Sequence, residues 1–162
     1  MRILCCLDGT NSTQLSQAAL FFAGSGAPTY GLLYVTDVEP RREIERTRER
    51  FLRRPMDAPG PRQQQMRQAE QASALDILHE GLRALPGAET IQREGRPERE
   101  IVNCAAAWQA DVLLLLPRTN YGEKPVLGPK SVGHVARFVL DHAPCPVLLV
   151  RPLAREQFPL QR

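Results

Sequence analysis

Val112 to Leu116 reads VLLLL, apolar at all five positions. A strand with one wet face alternates apolar and polar side chains, whereas one covered on both faces does not need to. This run fits a central strand of a parallel sheet with helices on both sides. That constrains the rest of the chain, because parallel neighbours need long crossover connections, usually helical.

The remaining sequence supplies such connections. Ile3 to Leu7 is a compact apolar run that ends in Asp8-Gly9-Thr10, a strand followed by a turn. Asn11, Ser12 and Thr13 offer helix caps, and Leu15, Ala18, Ala19 and Phe22 then recur at helical spacing. Gly24 and Gly26 stop that helix, and Tyr30 to Val35 reads as a second strand. A long helix with Leu75, Leu78, Leu82 and Leu85 on one side ends at Pro86-Gly87. Glu89 to Gln92 is a weak third strand, expected at an edge because it has little apolar content. Gly95-Arg96-Pro97 opens a further helix, with Pro97 in the first turn where its missing N–H costs nothing. Ile101, Cys104, Ala105 and Trp108 form its buried stripe. After Val112–Leu116, the fourth strand, Val132, Val135, Ala136 and Val139 mark a last helix, and Val147 to Val150 is the fifth strand. Alternating strands and helices define an α/β fold with a mainly parallel sheet and helices on both faces. The 162 residues are expected to form a single domain.

Composition narrows the function classes. The formal charge of +3 does not by itself imply a nucleic-acid partner, and the two lysines, Lys124 and Lys130, both lie between the fourth strand and the last helix. Asp8 ends the first apolar run too early for a secretory signal, and no apolar run is long enough to span a membrane. The four cysteines, Cys5, Cys6, Cys104 and Cys145, form no CxxC and no zinc-like spacing, so they read as reduced thiols of a cytoplasmic protein. Cys5 and Cys6 are expected to face opposite sides of their strand. No Ser/His/Asp set or paired carboxylate is indicated, and LDGTNST is only loosely similar to the SGGxDS loop of ATP-pyrophosphatases. The chain is therefore expected not to be an enzyme.

Residues 39–65 form an enlarged segment containing RREIERTRERFLRR at 41–54. Glu45 and Glu49 lie four residues apart with arginines nearby, which suits a helix of internal ion pairs. A contact with nucleic acid or an acidic partner is the alternative use, but Phe51 is the only aromatic in that stretch, so a solvated helix is favoured.

ILCCLDGT at 3–10, LLYVTD at 32–37, EGRPEREIVNCAAAWQADVLLL at 94–115 and GHVARFVLDHAPCPVLLV at 133–150 together resemble the universal stress protein family. The resemblance implies a Rossmann-like, five-stranded sheet in the order 3-2-1-4-5. It implies a crevice at the C-terminal ends of the first and fourth strands, where members that bind nucleotide hold ATP or AMP. It also implies a homodimer, often built through the last strand, here Val147 to Val150. Asp8 matches a ligand-contacting position and Val35 the adenine-contacting one, with Gly9 and Thr10 completing the first turn. Plain structural uses stand beside these: a turn or helix cap for Asp8, and core for Val35.

Nucleotide-binding members carry Gly-x2-Gly-x9-Gly-Ser/Thr between strand four and helix four. Glycines let backbone N–H groups turn toward phosphate oxygens without a Cβ in the way. Here Gly133-His134 takes the place of Gly-Ser, and no register restores the two early glycines. Pro125 and Pro129 each remove a donor, and Glu123 would repel phosphate. Arg118, Lys124 and Lys130 would attract one. The favoured reading is a non-catalytic, dimeric regulatory or protective module with a degraded nucleotide loop. The alternative is a sensor that binds ATP or AMP, with Mg²⁺, through a rebuilt anion site. His134 is expected to stand exposed and without a task, and His142 to serve a helix C-terminus.

Overall fold

The computed structural model describes residues 1–24, 26–39, 60–117 and 131–151. Its strands are β1 (Arg2–Leu7), β2 (Thr29–Asp37), β3 (Glu89–Gly95), β4 (Val112–Leu115) and β5 (Val147–Leu149). Its helices are α1 (Ser12–Leu20), α2 (Pro61–Ala84), α3 (Pro97–Ala107) and α4 (His134–His142). The five strands form one sheet in the order β3-β2-β1-β4-β5. Every pairing is parallel, with Cys5 opposite Leu32 in β2 and Leu114 in β4.

Alternation along the strands divides the core. Ile3, Cys5, Leu7, Leu32 and Leu114 point to one face and pack with Leu15, Ala18 and Ala19 of α1 and Leu78 of α2. Leu4, Cys6, Leu33, Leu113 and Leu115 point to the other and meet Ile101, Cys104, Ala105 and Trp108, with Ala136 and Val139 of α4. Cys5 and Cys6 thus do face opposite sides. Leu113 and Leu114 are both fully buried, as the unbroken apolar run requires. Each such side chain contributes about 1.5–3 kcal/mol through burial.

Two details depart from the sequence reading. The buried side of α2 runs through Ala74 and Leu78, with Leu82 partly buried, while Leu75 is half exposed. Gly81 belongs to that side, because a Cβ there would sit 2.8 Å from Leu7 Cδ1. Small residues let this helix lie close to the sheet, and a Leu-only stripe misses them. β3 also runs three residues past Gln92 to Gly95, because β2 from Gly31 to Asp37 gives it a partner. It is an edge strand, as its polar composition suggests. The expected Arg41–Arg54 helix lies outside the described residues.

The lower end of the sheet is closed by Trp108. Its Nε1 donates to Glu89 Oε2 at 2.9 Å, and the Arg2 guanidinium lies 4.2 Å over its ring. Gly31 makes room for it; a Cβ there would lie 2.9 Å from the indole. Among the described residues, the upper end, where the strands give way to helices, holds a crevice.

Candidate functional site

β1 hands its chain to α1 on one face of the sheet, and β4 leads on to α4 on the other. Adjacent strands whose connections diverge leave a crevice at their C-terminal ends. Here it has a volume of about 490 Å³ and extends from β2 across β1 to β4. Its apolar walls include Leu33, Val35, Ile101, Leu115 and Val135. Its polar groups are Asp8, Thr10, Asn11, Tyr34 and Asp37. That mixture and volume suit a small organic ligand.

The turn after β1 is held from within. Asp8 Oδ1 accepts from the Thr10 N–H at 2.8 Å and from the Thr10 hydroxyl at 2.9 Å. Gly9 has φ +92°, the left-handed conformation that this turn needs. Asn11 is only 3% exposed. Its Nδ2 donates to the Cys6 carbonyl and its Oδ1 accepts from the Asp8 N–H, both at 3.1 Å. Asn11 stands at the N-cap position, but its side chain reaches back to the strand rather than to a helix amide. Ser12 donates its hydroxyl to Glu80 Oε1 at 2.7 Å, tying α1 to α2.

Asp8, Thr10 and Val35, singled out in the sequence, therefore meet in one crevice. Gly9 shapes the turn between the first two. Gly133, with φ +78°, precedes α4, and Val135 in the first turn of that helix lines the wall. His134 stands 81% exposed just outside, with Nε2 4.0 Å from Glu98 Oε1, beyond hydrogen-bond distance. Arg118, Lys124 and Lys130 lie outside the described residues. His142 serves the end of α4 as expected: its Nδ1 lies 2.9 Å from the Phe138 carbonyl and its ring stacks on Phe138.

Sequence reading missed Tyr34 and Asp37. Asp37 ends β2 as Asp8 follows β1, a repeated signal visible in YVTD and CLDG. Its Oδ1 accepts from the Glu39 N–H at 3.0 Å. Burial, and then the charges of Asp8 and Glu70, push the Tyr34 hydroxyl above its usual range. Burial holds the Cys6 thiol well above its ordinary value as well, which leaves it protonated and a poor nucleophile.

The family description "Universal stress protein family" matches residues 1–151. The chain belongs to the universal stress protein family. Solved structures agree on the fold. Universal stress protein UspA from Lactobacillus plantarum is 22% identical with a TM-score of 0.66, over 93% of this chain and 97% of that one. A universal stress protein family protein from Arabidopsis thaliana with AMP bound is 16% identical with a TM-score of 0.57, over 97% and 95%. A universal stress protein in complex with cAMP is 18% identical with a TM-score of 0.52, over 93% and 96%. No curated protein matches this universal stress protein in sequence. Among the described residues, no helix is long and apolar enough to cross a membrane.

Proposed function

We propose that this universal stress protein is a regulatory binding module without turnover, whose state is set by an adenine nucleotide in the crevice. The observation that carries this reading is the crevice itself. It lies at the switch point between β1 and β4, and its volume of about 490 Å³ falls within the usual range for small-molecule sites. Relatives of the same fold have been solved with AMP and with cAMP. The missing early glycines weaken the backbone cradle for phosphates but leave the walls that would hold a nucleoside. Phosphate would then depend on the first turn of α4 and on the side chains of Arg118, Lys124 and Lys130, with Mg²⁺ serving a triphosphate.

The module is proposed to act as a homodimer through the edge of β5, and within the cytoplasm. β5 is one of the two edge strands of the sheet, and Leu148 on it is 39% exposed. An apolar edge strand is a template for pairing with a second chain.

Thermal unfolding with AMP tests the binding reading. At ligand a hundred times its Kd the native state gains about 2.7 kcal/mol, a rise of several degrees. Val35→Trp, which fills the crevice, is expected to abolish the rise. No shift at millimolar AMP, ADP or ATP would retire the proposal.

A further inference from the structure

We infer that Glu98 keeps phosphate from the start of α4, so that the crevice is filled by the nucleoside part of its ligand and gains nothing from the phosphates. The inference rests on the nucleotide reading above and specifies which part of the ligand carries the affinity.

Helices α3 and α4 both begin at the mouth of the crevice. Pro97 of α3 and Val135 of α4 line it. Glu98 follows the first of these and His134 precedes the second. Glu98 Oε1 lies 4.0 Å from His134 Nε2, so its carboxylate reaches across from α3 to the start of α4. The Glu98 side chain is only 14% exposed, so protein holds it on most sides. A helix start attracts anions. The first turn of α4 has no acidic residue of its own, and Glu98 supplies one from the neighbouring helix. A phosphate seated there lies within roughly a Debye length, about 8 Å, of that like charge.

The described lining offers phosphate no compensation. Its charged residues are Asp8 and Asp37, both carboxylates. Arg96 and Arg99 flank Glu98 in sequence but do not line the crevice. Arg96 donates its Nε–H to Glu39 Oε1 at 2.9 Å, and Arg99 is exposed. The loop after β4 lacks the early glycines that would turn backbone amides toward phosphate. Its cations, Arg118, Lys124 and Lys130, are then the groups left to oppose Glu98. The apolar walls and neutral polar groups, by contrast, suit an uncharged nucleoside.

Calorimetric titration of the full chain compares adenosine, AMP and ATP in excess Mg²⁺. Neither nucleotide is expected to bind more than about threefold more tightly than adenosine. Added salt is expected to leave the nucleotides' standing against adenosine unchanged or improved, because it screens repulsion. Glu98→Gln keeps the side chain's size and removes its charge. In that variant AMP and ATP are expected to gain about three- to tenfold, while adenosine binds as before. A purely structural role for Glu98 would move all three ligands together. A larger preference for either nucleotide in the wild type, fading as salt rises, puts the phosphates on the loop cations; it overturns the inference and leaves the nucleotide site standing. Unchanged ratios in Glu98→Gln overturn it too. Failure of all three ligands to bind the wild type removes the site and the inference with it.

Discussion

Asn11 holds the end of β1 to the start of α1 with a single buried amide. Its donor meets the Cys6 carbonyl and its acceptor meets the Asp8 N–H, so both backbone groups are satisfied where the strand stops. Asn11→Ala leaves them orphaned in a region that water reaches poorly, at a cost of about 1–3 kcal/mol. Chemical denaturation is expected to show that loss, with Asp8 and Thr10 less well positioned for ligand. A stability equal to wild type would show that water takes over the role of the amide. Sequence alone marks Asn11 as a helix cap, because Asn before an apolar-periodic run usually serves that purpose. Which backbone group its side chain reaches depends on how the strand end approaches the helix, and local sequence does not specify that.

Among the elements, β4 and β3 represent two degrees of legibility. β4 was plain from its unbroken apolar run, since a strand buried on both faces leaves no polar position. β3 was visible only in part. Its ETIQREG sequence has little apolar content, and its length is set by the β2 edge beside it. The stripe of α2 was displaced for a related reason: Ala74 and Gly81 are small, so their burial shows only when the sheet lies against them. β5 supplies the prediction at this scale. Leu148→Glu puts like charges close together if β5 pairs with its own copy. Sedimentation is expected to show a dimer for wild type and a monomer for the variant, with the fold kept because Leu148 is 39% exposed. A variant that remains dimeric would place the interface elsewhere.

At the scale of the molecule, the four thiols act together on alkaline stability. Burial raises Cys5 from an ordinary 9.0 to about 12 and Cys6 well above 9.0, and it raises Cys104 and Cys145 as well. Below pH 9 the thiols are protonated in both folded and unfolded chains. Between pH 9 and 12 the unfolded chain releases protons that the folded chain retains, so stability falls as pH rises through that window. The hydroxyls of Tyr30 and Tyr34 are also raised by burial and add with the same sign. Trp108, the single tryptophan, reports unfolding from the lower end of the sheet. Its fluorescence is expected to show a lower urea midpoint at pH 10.5 than at pH 8, with a smaller drop in a Cys5→Ser variant. An unchanged midpoint would mean that water reaches the thiols in the folded chain.

The order of apolar runs and helical stripes was enough to specify an α/β fold, because burial on two faces and the need for parallel crossovers act locally and leave a periodic trace. The glycine positions of the loop after β4 could likewise be read directly, since a missing side chain is a property of the residue itself. The crevice was different. Asp8, Thr10, Val35 and Asp37 come from separate strand ends, and only the parallel register brings them to one wall. The second carboxylate gained significance only through that convergence, because a lone Asp at the end of a strand looks the same whether it faces water or a ligand site.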